Sequence, residues 1–348
     1  MSAPELISEM LDGMIRPPKG AVVVDPFAGK GDLLKWLGPG YIELAYDIEP
    51  AARNVFRRDS LAHPPRYAGT YVLADPPELA KHNAENKAMF DHWGVDNLYK
   101  CFVKSILKDA PLGGIMIVPL NFLNGVLDGE KKRRREFFRR FKPIRINIFE
   151  RLLLAETDYI VTAIQFEVRT TFDAAKEPVT LNFYPSNTEL HFEVNPREYV
   201  FPDESPLDVF GKPPSSKYIN LRRHEEDRPL KPSEQLTHLY FEGYDSDAAE
   251  SCGQDRIGLR WTDAIHVGKP LFTSNSKAQI VVRGHLSRRL QLRIINDFNA
   301  CIEDWRKKTR SIFLPHYYDT KGRWRRRMGY DIAVSAIRHL IWTYADKH

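Results

Sequence analysis

An α/β fold on a doubly wound, largely parallel sheet is what this 348-residue sequence predicts, and two observations predict it. β-rich runs alternate with segments of helical periodicity through the first half, and a Gly-containing turn follows the first apolar run. Leu6, Ile7, Met10, Leu11 and Met14 stand at helical spacing, giving a helix over 4–16 that "PPKG" ends. "AVVVD" is the first strand, "DPFAGKGDLLKWL" a turn and the helix it opens, and "YIELAYDIEP" a second strand ending in acids. "TYVLAD" is a third, running into Asp75-Pro76-Pro77. "NLYKCFVKSILKDA" repeats apolar residues at Leu98, Phe102, Ile106 and Leu107, the stripe of an amphipathic helix, and "GGIMIVPLNFL" reads as a buried strand with its turn. "IRINIFE" and "YIVTAIQFEV" supply the antiparallel edge of the sheet, and this module ends near residue 170.

The length favours two domains, placed at 1–170 and 171–348. The second is an α+β region with strands "VTLNFYP", "ELHFEVNP" and "AQIVVRG" and helices "SRRLQLRIINDFNACIEDWRKK" and "YDIAVSAIRHLIWTYA". A Pro-rich connector, "FPDESPLDVFGKPPSSKY", lies between them. A hydrophobic fraction of 43% with 28% charged residues is an ordinary soluble composition, which excludes wholesale disorder. The net charge of +5 leans toward a polyanionic partner without demanding one. Cys101, Cys252 and Cys301 lack CxxC spacing, so neither a disulfide framework nor a zinc site is expected, and the compartment is reducing. No signal-peptide pattern and no membrane-length apolar run is present, so the expected location is the cytoplasm, or the nucleus or viral factory for a eukaryotic virus.

"VVVDPFAGKGDLL" sets Gly29 and Gly31 between an apolar strand and a helix, where missing side chains let a ligand approach the backbone and the helix N-terminus. Leu34 stands where a dinucleotide fingerprint wants its third glycine, which disfavours NAD. Gly-x-Gly alone also fits a mere tight turn. Downstream, Asp47 ends the second strand, where its carboxylate can accept both ribose hydroxyls of an adenosine-type cofactor, and Asp59 stands where an acid can cap the adenine amino group. Either alone reads as a solvated loop acid; together and in order they favour S-adenosylmethionine.

Asp75-Pro76-Pro77 supplies chemistry. An exocyclic amine on a base is a poor nucleophile because its lone pair is delocalised into the ring, and acceptors at its two N–H groups hold the nitrogen in line with a sulfonium methyl. The Asp75 carboxylate and the Pro76 carbonyl are the candidate acceptors, with the prolines stiffening the turn. Taken alone, the tripeptide could simply end a strand.

At these motifs the sequence resembles the adenine-N6 DNA methyltransferases in which the cofactor motif precedes the catalytic one and a recognition domain comes last, as found in restriction-modification systems, phages and large DNA viruses. The matching segments are "SAPELISEML", "DPFAGKGDLL", "YDIEP", "FRRDSL" and "ADPPELAKHN", with "DNLYKCFVKSIL", "GGIMIVPLNFLNG" and "TDYIVTAIQFE" as later elements. The resemblance covers residues 2–168, and weakly "RWRRRMGYDIAVSAIRHLI". It implies a Rossmann-like methyltransferase sheet followed by a C-terminal recognition region. It also implies Asp25, Phe27, Gly29, Gly31, Asp47 and Asp59 at S-adenosylmethionine, and Asp75, Pro76 and Pro77 at the target amine.

Two positions depart from that pattern. Glu78 replaces the aromatic expected after Pro-Pro, and Leu154 aligns where a second ring packs on the flipped base. Base-aromatic stacking is worth roughly 1–3 kcal/mol and offsets unstacking from the duplex, which costs about as much. The sequence therefore implies weakened transfer to duplex adenine, a preference for an already unstacked base, or no transfer.

Two basic runs complete the reading. "KKRRREFFRRFK", with Lys132 and Arg133, fits a helix whose phenylalanines pack on the sheet while its arginines face solvent, fits phosphate contact equally, and matches a nuclear-import signal. "KGRWRRRMGY" places Arg323, Arg325, Arg326 and Arg327 around Trp324, which favours nucleic acid. "HEEDR" at 224 is expected to be acidic and exposed. The leading function is methyl transfer to adenine N6 in DNA after base flipping. The second is a catalytically silent relative that binds nucleic acid or a partner subunit, a homodimer included; an RNA adenine methyltransferase is the third.

Overall fold

The computed structural model describes residues 3–125, 128–149, 160–171, 177–194, 221–246, 257–267, 269–271, 277–309, 316–318, 324–328 and 330–345. The chain divides into two compact units, Met1–Tyr199 and Val200–His348.

In the first unit, a nine-stranded sheet runs β3-β2-β1-β4-β5-β7-β6-β8-β9. Its members are β1 (Val22–Asp25), β2 (Ile42–Asp47), β3 (Phe56–Arg57), β4 (Tyr71–Ala74), β5 (Gly113–Pro119), β6 (Phe141–Phe149), β7 (Val161–Val168), β8 (Glu177–Tyr184) and β9 (Thr188–Val194). The first five are parallel, and β7 lies antiparallel between β5 and β6. This is the α/β sheet the sequence predicts. The antiparallel insertion sets it apart from the all-parallel dinucleotide-binding order. Every residue of β5 is buried, as an apolar strand covered on both faces must be.

Helices α1 (Ala3–Met10), α2 (Asp32–Leu37), α3 (Ala88–Trp93), α4 (Leu98–Lys108), α5 (Asn121–Asn124) and α6 (Asp128–Arg140) accompany this sheet. The first ends six residues earlier than its apolar spacing predicts. Asn147 Nδ2 donates to the carbonyls of Met10 and Asp12, and Gln165 exchanges two hydrogen bonds with the Ile15 backbone. Those bonds compete with helix continuation, and Gly13 at φ 67° makes the turn. A β-carbon there would lie 2.5 Å from Arg145 Cζ.

Three expectations are corrected. The strands "IRINIFE" and "YIVTAIQFEV" are interior, because β8 pairs in parallel with β6 and β9 closes the edge. The sheet accordingly continues past 170 to Val194, since a parallel partner 35 residues downstream leaves no local signature; Ile146 faces Leu181 in that register. On α6, Phe137 and Phe138 are fully buried with Phe141, Phe122 and Phe166, ring centroids 4.8–5.4 Å apart in the closest pairs. Such ring pairs add about 0.5–1.5 kcal/mol each beyond their burial. The arginines do not all face solvent, however: Arg134 is 2% exposed, and its Nη1 donates to the Gly125 carbonyl at 3.0 Å.

The second unit carries an antiparallel sheet ordered β10 (Leu221–Arg223), β14 (Lys277–Arg283), β11 (Glu234–Glu242), β13 (Gly258–Trp261). A second sheet is ordered β12 (Tyr244–Ser246), β16 (Trp324–Arg327), β15 (His316–Tyr318). Helices α7 (Arg288–Thr309) and α8 (Tyr330–Ala345) match the two predicted C-terminal helices, and α7 packs on β13 and β11. Within the basic run before α8, Trp324–Arg327 form strand β16. The expectation for "HEEDR" holds for Glu226, Asp227 and Arg228, which are exposed, while His224 is 5% exposed. Among the described residues, no helix is long and apolar enough to cross a membrane.

Candidate active site

The chain leaves β1 for β2 on one side and reaches β4 on the other, so β1 sits at the point where the strand order reverses. Ligands of open α/β sheets bind outside the carboxyl ends of strands at that point. Three carboxylates stand there: Asp25 is the last residue of β1, Asp47 the last of β2, and Asp75 follows β4 directly. Sequence neighbours they are not; the sheet brings them together.

The turn after β1 is held from within. Gly29 N–H donates to Asp47 Oδ2 at 2.8 Å, and Glu49 N–H donates to the other Asp47 oxygen at 2.8 Å. Gly31 adopts φ 75° at the start of α2, a backbone that disfavours any β-carbon, and one placed there would meet open space. The turn therefore leaves open space beside Gly31. Asp59 Oδ1 accepts the N–H groups of Leu61 and Ala62 at 3.0 and 2.9 Å, fixing the chain after β3.

A crevice of about 410 Å³ opens beside these residues, its walls including Phe27, Asp47, Asp59, Asp75 and Pro77. The other sequence-predicted residues stand behind the walls. Asp25 is fully buried with its Oδ1 on the Phe27 N–H at 3.1 Å, and Pro76 is buried, while Gly29, Gly31 and Glu78 do not line the space. Phe27 itself is fixed edge-to-face against Phe102 at 5.5 Å.

Seven further wall residues are not among the sequence-predicted site residues: Pro26, Ile48, Arg58, Ser60, Leu61, Met89 and Leu98. Ile48 is 58% exposed beside Asp47, an apolar surface suited to a flat ring. A bare isoleucine after the strand-ending acid was the available signal. Arg58 is turned aside, its guanidinium bonded to the carbonyls of His63 and Pro64 and lying over Tyr46.

The acids hold protons unusually well. Burial pushes the Asp25 carboxyl up to about 8; the Phe27 N–H opposes this, and the negative fields of Asp75 and Asp47 add to it. Its Oδ2 is buried without a hydrogen-bond partner. Desolvation lifts Asp75 to about 7, although the residue is exposed by surface area. Crevice walls crowd it while water still reaches it, so the elevation is smaller with the crevice open. Glu78, half-buried, rises to about 7 through desolvation and then the Asp75 charge. Lys132 is exposed and Arg133 half-buried on α6. Leu154 and Arg323 lie outside the described residues, as do the side chains of Trp324, Arg325 and Arg327.

No protein-family model and no curated protein matches the chain. Solved structures do. The inferred modification subunit of a type I restriction enzyme from Vibrio vulnificus aligns at 13% identity and TM-score 0.41, over 54% of this chain and 48% of that one. A type I restriction-modification methyltransferase subunit from Streptococcus thermophilus aligns at 14% and 0.37, over 53% and 47%. The M protein of the type I enzyme EcoKI aligns at 14% and 0.39, over 99% and 71%. The chain thus spans about half the length of the first two. Likenesses this distant carry no part of the functional argument, which rests on the crevice.

Proposed function

We propose that this protein is an S-adenosylmethionine-dependent methyltransferase acting on adenine N6 in DNA. The observation that carries the reading is the convergence of Asp47, Asp59 and Asp75 on one 410 Å³ crevice at the reversal point of the sheet. The residues present fit the cofactor. The turn at Gly31 leaves open space, the Asp47 carboxylate keeps lone pairs beyond its two backbone bonds, and the acidic walls favour a cationic ligand. Asp47 would hold the ribose, Asp59 the adenine edge and Ile48 its face.

The cofactor, when bound, supplies an electrophilic methyl group on a sulfonium. Asp75 accepts one N–H of the target amine and the Pro76 carbonyl the other, orienting the nitrogen lone pair along the crevice. Held near 7, the Asp75 carboxylate is matched to take the proton that the amine sheds as it becomes methylated. Phe27 and Pro77 exclude water from the same wall.

Glu78 favours a second reading, the catalytically silent relative, because a half-buried carboxyl beside Asp75 cannot stack on a purine. Calorimetric titration with S-adenosylmethionine, followed by labelled-methyl assays on single- and double-stranded DNA and RNA, separates the two. Binding with transfer to DNA supports the enzyme. Binding without transfer to any nucleic acid leaves the silent reading standing, and no binding removes the enzyme.

A further inference from the structure

A second concave site lies wholly in the C-terminal unit. The cavity, of about 310 Å³, is formed between β10, the turn after it and α8. Its walls include Arg222, Arg223, Arg228 and Arg338, with Tyr330 and Ser335. None of these arginines belongs to the basic runs that the sequence singles out, although Tyr330 ends the second of them.

The topology explains the gathering. β10 is an edge strand paired only with β14, so Arg222 and Arg223 stand at the border of the four-stranded sheet. Tyr330, Val334 and Arg338 repeat every fourth residue along α8, which stacks them on the face toward β10. Glu225 and Arg228 bridge the turn between them.

The arginines do different work. Arg222 is neutralised: its guanidinium grips Glu234 at 2.8 and 3.2 Å and the Arg223 and Pro229 carbonyls, and that pairing holds the Glu234 carboxyl down to about 2. Arg223 lies over the Tyr330 ring at 5.4 Å, with Glu225 3.4 Å from its guanidinium. Arg338 is held far more weakly, by one 3.5 Å contact to the Leu221 carbonyl, and its Nε is buried with no hydrogen-bond partner. Arg228 is exposed at the rim. Glu225 and Glu234 offset only part of the charge, so the cavity stays cationic with guanidinium donors left over.

We infer that this pocket binds a phosphate group, gripped by Arg338 and Arg228 with Ser335 as a hydroxyl donor. A planar guanidinium offers two parallel N–H bonds to a phosphate, and forks arriving from a turn and a helix suit a tetrahedral oxyanion better than a flat carboxylate. The group is either a backbone phosphate of nucleic acid or a free phosphate. The inference leans on the proposed function only for naming nucleic acid as one source, since the pocket holds no residue of the crevice.

Arg228→Gln and Arg338→Gln in the full chain test it, without cofactor, so that loss of the methyl-transfer reading leaves the result intact. Inorganic phosphate is titrated by calorimetry, and single- and double-stranded oligonucleotides by fluorescence anisotropy across a salt series. Each variant is expected to weaken binding about tenfold, and for oligonucleotides to lower the slope of log affinity against log salt by about one. Loss confined to the oligonucleotides makes the source a nucleic-acid backbone; loss confined to inorganic phosphate makes it a free phosphate. Wild-type affinity and slope in both variants with both probes overturns the inference. Arg228 is exposed, so its variant decides the matter if Arg338→Gln fails to fold.

Discussion

The two concave sites of this molecule are built with opposite charge. In the first unit, carboxylates ring the crevice, and its one arginine is bonded to backbone carbonyls. In the second, arginines ring the pocket and its acids are paired with them. Each arrangement costs self-repulsion in the empty protein, and each stores attraction for a ligand of the other sign. Around the crevice, burial first and neighbouring carboxylate charge second raise the acid constants: Asp25, Asp75 and Glu78 keep protons at pH values where isolated carboxyls have lost them.

Breaking the acidic side has the largest expected effect. Asp75→Ala removes the proposed acceptor at the reacting nitrogen, and single-turnover methyl transfer is expected to fall by about a hundredfold or more, with cofactor affinity by calorimetry changed far less. Comparable loss of both would place Asp75 at the cofactor instead. Next comes Glu78→Tyr, which exchanges charge for a stacking surface. Transfer to duplex adenine is expected to rise about tenfold, in line with roughly 1–3 kcal/mol per stacked base, and the gain should shrink on single strands. An equal gain on both would remove stacking as the cause.

A pH series sharpens the contrast. The acceptor role needs Asp75 ionised, so transfer is expected to climb as pH rises through about 7. With Glu78 coupled to it, the apparent constants belong to the pair, and Glu78→Gln should move the inflection to lower pH. A profile flat from pH 5 to 9 would contradict the assignment.

A separate effect, on stability rather than on transfer, follows from Asp25. Asp25 binds its proton more tightly folded than unfolded, so between about 4 and 8 the folded state carries the extra proton and stability falls as pH rises. Asp25→Asn keeps the acceptor for the Phe27 N–H and removes the titration. It should match the wild type below pH 4 and exceed it increasingly toward pH 8, by about 1.4 kcal/mol per unit of elevation at most. Thermal melts at pH 4 and 8 read this directly; equal melting at both would show that Asp25 does not titrate in that range.

Much of the first unit is legible in the chain. Strands, glycine turn and the order of acids are local patterns, and the sheet only had to align them. What the letters hide is non-local. β8 and β9 look like a new domain because their partner, β6, is reached through space, and the end of α1 depends on Asn147 and Gln165, more than 130 residues away. Motif residues also changed rank: Asp25 and Glu78 stand behind the wall, while Met89 and Leu98, which look like ordinary helix residues, form part of it. The arginine pocket was invisible for the same reason, since a three-residue edge strand and a helix 107 residues later supply it. By contrast, one member of the conspicuous run on α6 is architectural, Arg134 being spent on chain carbonyls.

One modest contact gives the crevice a voice. The Trp93 indole N–H donates to the Leu61 carbonyl at 3.0 Å, and Leu61 is itself a crevice wall pinned by Asp59. Whatever enters that space presses on the peptide to which the indole is tied. Occupancy should therefore be written into the intrinsic emission of Trp93, giving an optical readout that requires neither label nor turnover.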